Sequence, residues 1–284
     1  HVIVVGAGIF GAATAAHLAQ RGVRTTLLTA GAHADGASGR SLAWLNSAGY
    51  RSPQYHELRL QGMQLYREWL HERPASAAYL AFGGGLTWAG PGESHRERFE
   101  HEKVLGYPTI WVPRDEIQAF APGVDSASVP DEGAIFNPRE GWVDLPSLVR
   151  DLLNDFIAAG GAIREGVGLC RPAVDAGAVI GVHTGSRELI ASDAVVWATG
   201  PSVPEDLAHV GVVIPNGSPA AFVAFTEPVD SPLTVVLNTP RASVRPTIDG
   251  GLAIDSAWSE EAMTVAEDGA LHVPHEVVSG LLEE

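Results

Sequence analysis

Three glycines near the amino terminus have the spacing of a phosphate-binding turn. Residues 6–11 are Gly-Ala-Gly-Ile-Phe-Gly, and the β-branched run Val2-Ile3-Val4-Val5 comes directly before them. In such a turn Gly6 permits a tight bend, Gly8 lets the backbone approach a pyrophosphate, and Gly11 allows the next helix to pack closely. The amides at the start of that helix bind the phosphates. The pattern predicts a dinucleotide site, the alternative being an α/β turn that uses glycine only for packing.

The end of the second strand departs from the usual pattern of such sites. That strand normally ends in Asp or Glu, whose carboxylate binds the hydroxyls of the adenosine ribose. Here the run Thr25-Thr26-Leu27-Leu28 is followed by Thr29. A threonine hydroxyl can still hydrogen-bond a ribose, and its neutrality leaves NADP open as an alternative cofactor. We therefore expect Thr29 to contact the nucleotide.

Composition and charge limit the class of protein. The chain has 284 residues, of which 45% are hydrophobic and 18% charged, as is typical of a folded protein with one large domain or two. Its net charge of −16 argues against nucleic acid or an anionic membrane as a partner. The single cysteine, Cys170, excludes an internal disulfide and is typical of a reducing compartment. Since the sequence shows neither a leader peptide nor an apolar run of membrane length, we expect a cytoplasmic protein.

The order of the predicted elements indicates an α/β fold in which one domain interrupts another. A buried strand returns at residues 194–200, and it is expected to join the opening strand in one parallel sheet. We therefore predict a discontinuous Rossmann-like domain of residues 1–78 and 144–205. An inserted substrate domain with an antiparallel sheet would comprise residues 79–143 and 206–284.

Five stretches together resemble the flavin-dependent amine and amino-acid oxidases, the family of D-amino-acid oxidase, glycine oxidase and sarcosine oxidase. The Ala-Ser-Gly loop is the most discriminating of them, because NAD-dependent dehydrogenases have no equivalent there. The five stretches are the glycine turn, Gly36-Ala37-Ser38-Gly39-Arg40-Ser41, Glu140-Gly141-Trp142-Val143-Asp144, Val195 to Gly200, and Val244-Arg245-Pro246 with Asp249-Gly250-Gly251.

The resemblance implies that the Rossmann-like domain binds FAD, and binds it non-covalently, since residues 37–46 contain no histidine. In this family the loop offers backbone amides to the pyrophosphate and the flavin ring, which stabilises negative charge on a reduced flavin. Leu169, near the end of a strand that opens at Ala162, matches the family's adenine contact; ordinary buried sheet is the alternative there and at Ala198 to Gly200. The implied cofactor-binding residues are Gly6, Gly8, Ile9, Phe10, Gly11, Thr29, Ala30, Ala37, Ser38, Gly39, Arg40, Ser41, Leu42, Ala43, Trp44, Leu169, Ala198, Thr199 and Gly200.

The implied activity is oxidation of a C–N bond in a small-molecule amine or amino acid, by hydride transfer to flavin N5. Because the cofactor carries the reactive atom, no catalytic side chain and no metal site are expected. A substrate carboxylate would require an arginine, for which Arg245 is the candidate; its alternative role is a structural salt bridge, and Arg40 is a rival. Asn46 is a candidate hydrogen-bond donor to substrate or flavin, with a capping role as its alternative.

Two other functions stay open at this point. Relatives continue past this end with a glycine-rich stretch and a closing helix, so we expect that the carboxyl-terminal closing segment is missing. Together with Thr29, this leaves a non-catalytic nucleotide-binding remnant or regulatory subunit as one alternative. An NAD(P)-dependent dehydrogenase is the other, although it gives the Ala-Ser-Gly loop no role.

Overall fold

The computed structural model describes residues 1–217, 221–265 and 271–283. The helices in these ranges are α1 (Ile9–Gln20), α2 (Pro53–Glu72), α3 (Arg96–Val104), α4 (Ile117–Phe120), α5 (Leu145–Ala158), α6 (Val203–Ala208), α7 (Ala257–Glu261) and α8 (His275–Glu283). The strands are β1 (Val2–Val5), β2 (Thr25–Leu28), β3 (Trp44–Leu45), β4 (Leu80–Ala81), β5 (Gly85–Thr87), β6 (Ile110–Val112), β7 (Ala134–Asn137), β8 (Gly141–Val143), β9 (Ala162–Arg164), β10 (Arg171–Asp175), β11 (Ala178–His183), β12 (Leu189–Ala191), β13 (Ala194–Trp197), β14 (Ala224–Phe225), β15 (Val236–Asn238), β16 (Ser243–Pro246), β17 (Leu252–Asp255), β18 (Thr264–Val265) and β19 (Leu271–His272).

The chain divides into two compact units, each made of two separate stretches. The first unit contains residues 1–41 and the described residues from 145 to 217, and the second contains residues 42–144 and the described residues from 221 onward. The sequence predicts residues 42–78 in the nucleotide-binding domain, whereas in the structure they belong to the second unit. The reason is that β3 pairs with β8 in that unit. The functions assigned to the two domains stay predictions.

A four-stranded parallel sheet in the order β13-β1-β2-β9 forms the centre of the first unit. The chain leaves β1 through α1 and returns as β2, while α5 precedes β9 and packs against α1. Alanines at positions 12, 15, 16 and 19 form the buried face of α1 and allow close helix packing. Gly22, with φ of +78°, turns the chain from α1 toward β2. The returning strand thus joins the opening one, as the sequence predicted.

The core of the first unit lies between this sheet and an antiparallel sheet of β10, β11 and β12. Ile3 and Val5, two residues apart on β1, point to the same side and pack in one cluster with Leu28, Cys170 and Val182. This explains why the opening strand is apolar at every position, because its two faces are both buried.

The second unit is built on a seven-stranded sheet in the order β14-β17-β16-β15-β5-β7-β6. Its pairs are antiparallel except β15 with β5, which run parallel, so the predicted antiparallel sheet is in fact mixed. A smaller antiparallel sheet, β3-β8-β4, pairs Trp44 with Trp142. In the parts of the chain that the structure describes, no helix is both long and apolar enough to cross a membrane.

Truncation of a core leucine tests the first unit's packing. Leu28 is fully buried, so Leu28→Ala should lower the free energy of unfolding by about 2–5 kcal/mol. Leu189 of β12 is 47% exposed, and Leu189→Ala should change the free energy of unfolding by only about 0.5 kcal/mol. Urea denaturation followed by circular dichroism measures both. Equal losses in the two variants would contradict this description of the core.

Candidate functional site

The glycine turn after β1 has contacts that only glycine permits. Gly6 has φ of +108°, and a Cβ there would collide with the carbonyl of Ala198, at the exit of the neighbouring strand β13. A Cβ on Gly11 would collide with the carbonyl of Gly6. The first turn of α1 is therefore pressed against the end of β1 and beside the end of β13, as a phosphate-binding turn requires.

The Ala-Ser-Gly loop lies directly against this turn. The hydroxyl of Ser38 accepts a hydrogen bond from the backbone N–H of Ile9 at 3.0 Å. The N–H of Ala34, earlier in the same loop, donates to the carbonyl of Ala7 at 3.0 Å. A Cβ on Gly8 would lie only 3.1 Å from the Ser38 hydroxyl. Two segments that the sequence analysis assigned to one cofactor are thus in contact within the first unit.

The start of α1 suits an anionic group. Gly8 at the N-cap has no side-chain capping bond, and the first turn contains no acidic residue. Only one of the first-turn amides, that of Ile9, is bonded to Ser38, and helix geometry leaves those of Phe10 and Gly11 without an intrahelical acceptor. These donors and the positive end of the helix dipole fit a pyrophosphate.

The other predicted contacts of the first unit follow the carboxyl ends of its parallel strands, where ligands bind in open α/β sheets. Thr29 follows β2 and is buried; its N–H donates to the carbonyl of Arg164 at 3.0 Å. Thr199 follows β13, and its hydroxyl donates to Asp206 at 2.6 Å. Gly200 has φ of +67°. Ala30 and Arg40 are exposed.

Leu169 corrects one structural expectation of the sequence analysis. It does not lie near the end of a strand, because β9 ends at Arg164 and the chain then bends at Gly166 and Gly168, with φ of +67° and +69°. Leu169 sits in the loop before β10 and is 78% exposed. The same loop borders a polar cavity of about 300 Å³ that is lined by residues 164–168, 184–186 and 188. The predicted adenine contact is therefore a loop residue.

Leu42, Ala43 and Trp44 belong to the second unit. Ala43 has φ of +49°, a left-handed conformation that is uncommon for alanine, and its carbonyl accepts the N–H of Val143 at 3.2 Å. The indole N–H of Trp44 donates to Glu140 at 2.9 Å. Asn46 is buried and its amide donates to the carbonyl of Trp44 at 3.1 Å, so the structure engages its side chain locally.

Arg245 is buried and binds backbone carbonyls. Its Nε donates to the carbonyl of Leu42 and its Nη1 to that of Pro246 at 2.9 Å. The guanidinium carbon lies 5.1 Å from the centre of the Trp142 ring. Burial lowers the pKa of Arg245, while Asp144 raises it. The buried indole N–H of Trp142 has no acceptor among the described residues.

Glu140 lies in one of the five stretches, but the sequence alone assigns it no role. Its side chain is completely buried and accepts hydrogen bonds from Trp44 and, at 2.7 Å, from the hydroxyl of Tyr107. Burial raises the pKa of Glu140 to about 8. Burial also raises the pKa of Tyr107, with the Glu140 charge as the second cause. The signal in the sequence is an acid directly before a short apolar strand, Gly141–Val143.

Two solved structures of similar fold are named as a glycine oxidase and an L-amino acid deaminase. Glycine oxidase from Geobacillus kaustophilus aligns with a TM-score of 0.76 at 22% identity, over 99% of this chain and 76% of that one. L-amino acid deaminase from Proteus myxofaciens aligns with a TM-score of 0.73 at 22% identity, over 89% of this chain and 57% of that one. At these identities the likeness shows the fold, and it confirms the predicted α/β class.

Among curated sequences, the bifunctional protein MnmC of Chromohalobacter salexigens, named for tRNA 5-methylaminomethyl-2-thiouridine biosynthesis, is 30% identical over 161 residues. That alignment covers 54% of this chain and 22% of MnmC. The chain matches only about a fifth of the length of its curated relatives.

The profile of one protein family, DAO, described as FAD dependent oxidoreductase, matches residues 1–284. The match confirms the resemblance drawn from the five stretches, and with it FAD as the cofactor and oxidoreductase as the class of enzyme. The glycine turn and the loop that contacts it are thus parts of a chain that belongs to the DAO family of FAD-dependent oxidoreductases.

Proposed function

We propose that the protein oxidises a C–N bond of an amine or amino acid, with FAD bound by the residues that the sequence analysis named. The observation that carries the proposal is the hydrogen bond between Ser38 and Ile9, since it unites the loop typical of this family with the glycine turn. The names of the structural relatives, which act on glycine or L-amino acids, support this substrate class.

The residues of the first unit would hold the cofactor by its phosphates. The amides of Phe10 and Gly11 would donate to the pyrophosphate, and Ser38 would fix the orientation of the turn. A neutral Thr29 places no carboxylate beside the phosphates, and its hydroxyl would contact the ribose. When bound, FAD supplies the reactive atom, N5, which accepts a hydride from the carbon that bears the amine, and water hydrolyses the resulting imine.

The residues of the second unit would orient the substrate and exclude water. Leu42, Ala43 and Trp44 would contact the flavin ring, and Asn46 would stay close to the substrate. Arg245 keeps Nη2 outside its two backbone bonds, and this nitrogen is the candidate donor to a substrate carboxylate. Because the cofactor carries the redox chemistry, the protein needs no nucleophile of its own.

Anaerobic flavin bleaching tests the proposed reaction. The purified chain is loaded with FAD and mixed without oxygen with a panel of primary and secondary amines, glycine, and D- and L-amino acids. At least one substrate should remove the visible flavin absorbance, because two electrons pass from its C–N bond to the flavin. A protein that binds FAD but is bleached by no compound supports the non-catalytic alternative, and one that takes up no FAD contradicts both.

The glycine turn can be tested apart from the reaction. Gly11→Ala places a methyl group against the Gly6 carbonyl and should weaken FAD binding by roughly tenfold or more, equivalent to about 1.4 kcal/mol. Gly62→Ala in α2 is the matched control, since nothing lies within 4 Å of its Cβ and helix propensity favours alanine. Flavin fluorescence titration measures both affinities. Equal binding by two equally folded variants would mean that the turn does not hold the cofactor.

A further inference from the structure

Backbone groups of residues 42–49, here called the 42–49 segment, are bound by four side chains of the second unit, three of which are buried. This segment follows the Ala-Ser-Gly loop directly in the chain and contains Trp44 and Asn46. Four hydrogen bonds to side chains leave its backbone little freedom. They join Arg245 Nε to Leu42 O, Arg59 Nε to Asn46 O (2.6 Å), Ser47 N to Tyr107 Oη (3.1 Å) and Gly49 N to Glu102 Oε1 (2.7 Å).

The start of the segment adopts a conformation that the surroundings must maintain. Ala43 has φ of +49°, which is unfavourable for a residue with a Cβ. Such conformations persist where neighbouring groups determine them, and they cluster at functional sites. Here the carbonyls of Leu42 and Ala43 are both bonded, to Arg245 and Val143. These bonds thereby define the direction in which the side chain of Trp44 projects from the backbone.

Glu140 is linked to the segment at two places, directly at Trp44 and through Tyr107 at Ser47. Its Oε2 accepts the indole N–H of Trp44 at 2.9 Å, and its Oε1 accepts the hydroxyl of Tyr107 at 2.7 Å. The oxygen of Tyr107 in turn accepts the N–H of Ser47. A Cβ on Gly85 would collide with the Glu140 carboxyl group, so glycine is needed to make room for it. One carboxyl oxygen thus binds the segment directly, and the other binds the tyrosine that holds the Ser47 N–H.

The groups around Glu140 shift its pKa in opposite directions. Burial and the Glu102 charge raise its pKa, whereas the bonds from Tyr107 and Trp44 and the charge of Arg98 lower it, with the result near 8. A carboxylate accepts these two bonds with both oxygens, but a protonated carboxyl group must use one oxygen as a donor. Its bonds to the segment should therefore strengthen as the pH rises through this value, because ionisation makes the hydrogen bonds charge-assisted.

We propose that Glu140 is a positioning residue for the reaction, which acts by fixing the indole of Trp44 and the backbone of Ser47. The role in turnover rests on the proposed function, in which Trp44 contacts the flavin ring. The role in fixing Trp44 does not, because it rests only on contacts within the second unit. Glu140 itself does not touch substrate or cofactor in this proposal.

Near-ultraviolet circular dichroism tests the fixing of Trp44 without any cofactor. The difference between the spectra of the unsubstituted protein and Trp44→Phe gives the Trp44 band. That band should change with a midpoint near pH 8, and Glu140→Gln, which keeps the size of the side chain, should abolish the change. Glu188→Gln, at an exposed acid of the first unit, is the control, and in this variant the Trp44 band should still change near pH 8. If the Trp44 band of Glu140→Gln changed with pH in the same way as that of the control, the proposal would be overturned.

A double-mutant cycle tests the role in turnover. With FAD and an active substrate, Glu140→Gln and Trp44→Phe should each change kcat or KM by about threefold or more. The double variant should lose no more than the larger single loss, because Glu140 acts through Trp44. Independent, multiplying losses would contradict the proposal. If no substrate bleaches the flavin, the proposed function fails, and the circular dichroism titration still decides the role of Glu140.

Discussion

The hydrogen bond between the Ile9 amide and the Ser38 hydroxyl is the contact on which the first unit's site depends. It uses one donor of the α1 N-terminus to hold the Ala-Ser-Gly loop, and it leaves the donors beside it for a ligand. Gly8 makes the contact possible, since a Cβ there would lie 3.1 Å from the same hydroxyl. The glycine motif and the loop therefore fit each other: without the loop the turn loses its neighbour, and a Cβ in place of glycine would force the Ser38 hydroxyl to shift by a few tenths of an ångström.

An acidic chain can hold an anionic cofactor because binding depends on local donors. The net charge is −16, yet the first turn of α1 has no acidic residue, and Thr29 stands where a carboxylate is usual. Exposed charges separated by more than about 8–10 Å are largely screened at physiological ionic strength. Amides at hydrogen-bond distance are not screened in this way, and their orientation is already set by the helix. In the proposed site, Thr29 would thus remove a nearby repulsion, at the expense of a weaker bond to the ribose.

Sequence alone predicted the features that are local in the chain. The glycine turn, the helix that follows it and the returning strand β13 follow from residue type and spacing over a few positions. The parallel pairing of β15 with β5 does not, because it joins stretches about 150 residues apart whose local patterns contain no information on their partner. The expected strand position of Leu169 is wrong for a local reason: Gly166 and Gly168 before it both adopt positive φ, which ends the strand. The bonding of Arg245 to Leu42 could not be foreseen, since an arginine beside a proline is equally consistent with a surface ion pair or a ligand.

The burial of Glu140 poses a question of energetics, because a buried acid seldom stabilises a fold. Replacement of such a group by apolar residues of similar volume is often neutral or stabilising. An apolar side chain at this position would, however, leave the indole N–H of Trp44 and the hydroxyl of Tyr107 without acceptors, and each unmet donor costs about 1–3 kcal/mol. The acid therefore cannot be exchanged for an apolar residue without this loss; its role is to select one orientation of Trp44. A buried carboxyl group such as that of Glu140 is therefore useful where the indole ring of Trp44 must keep one orientation. For stability alone, an apolar core would serve as well.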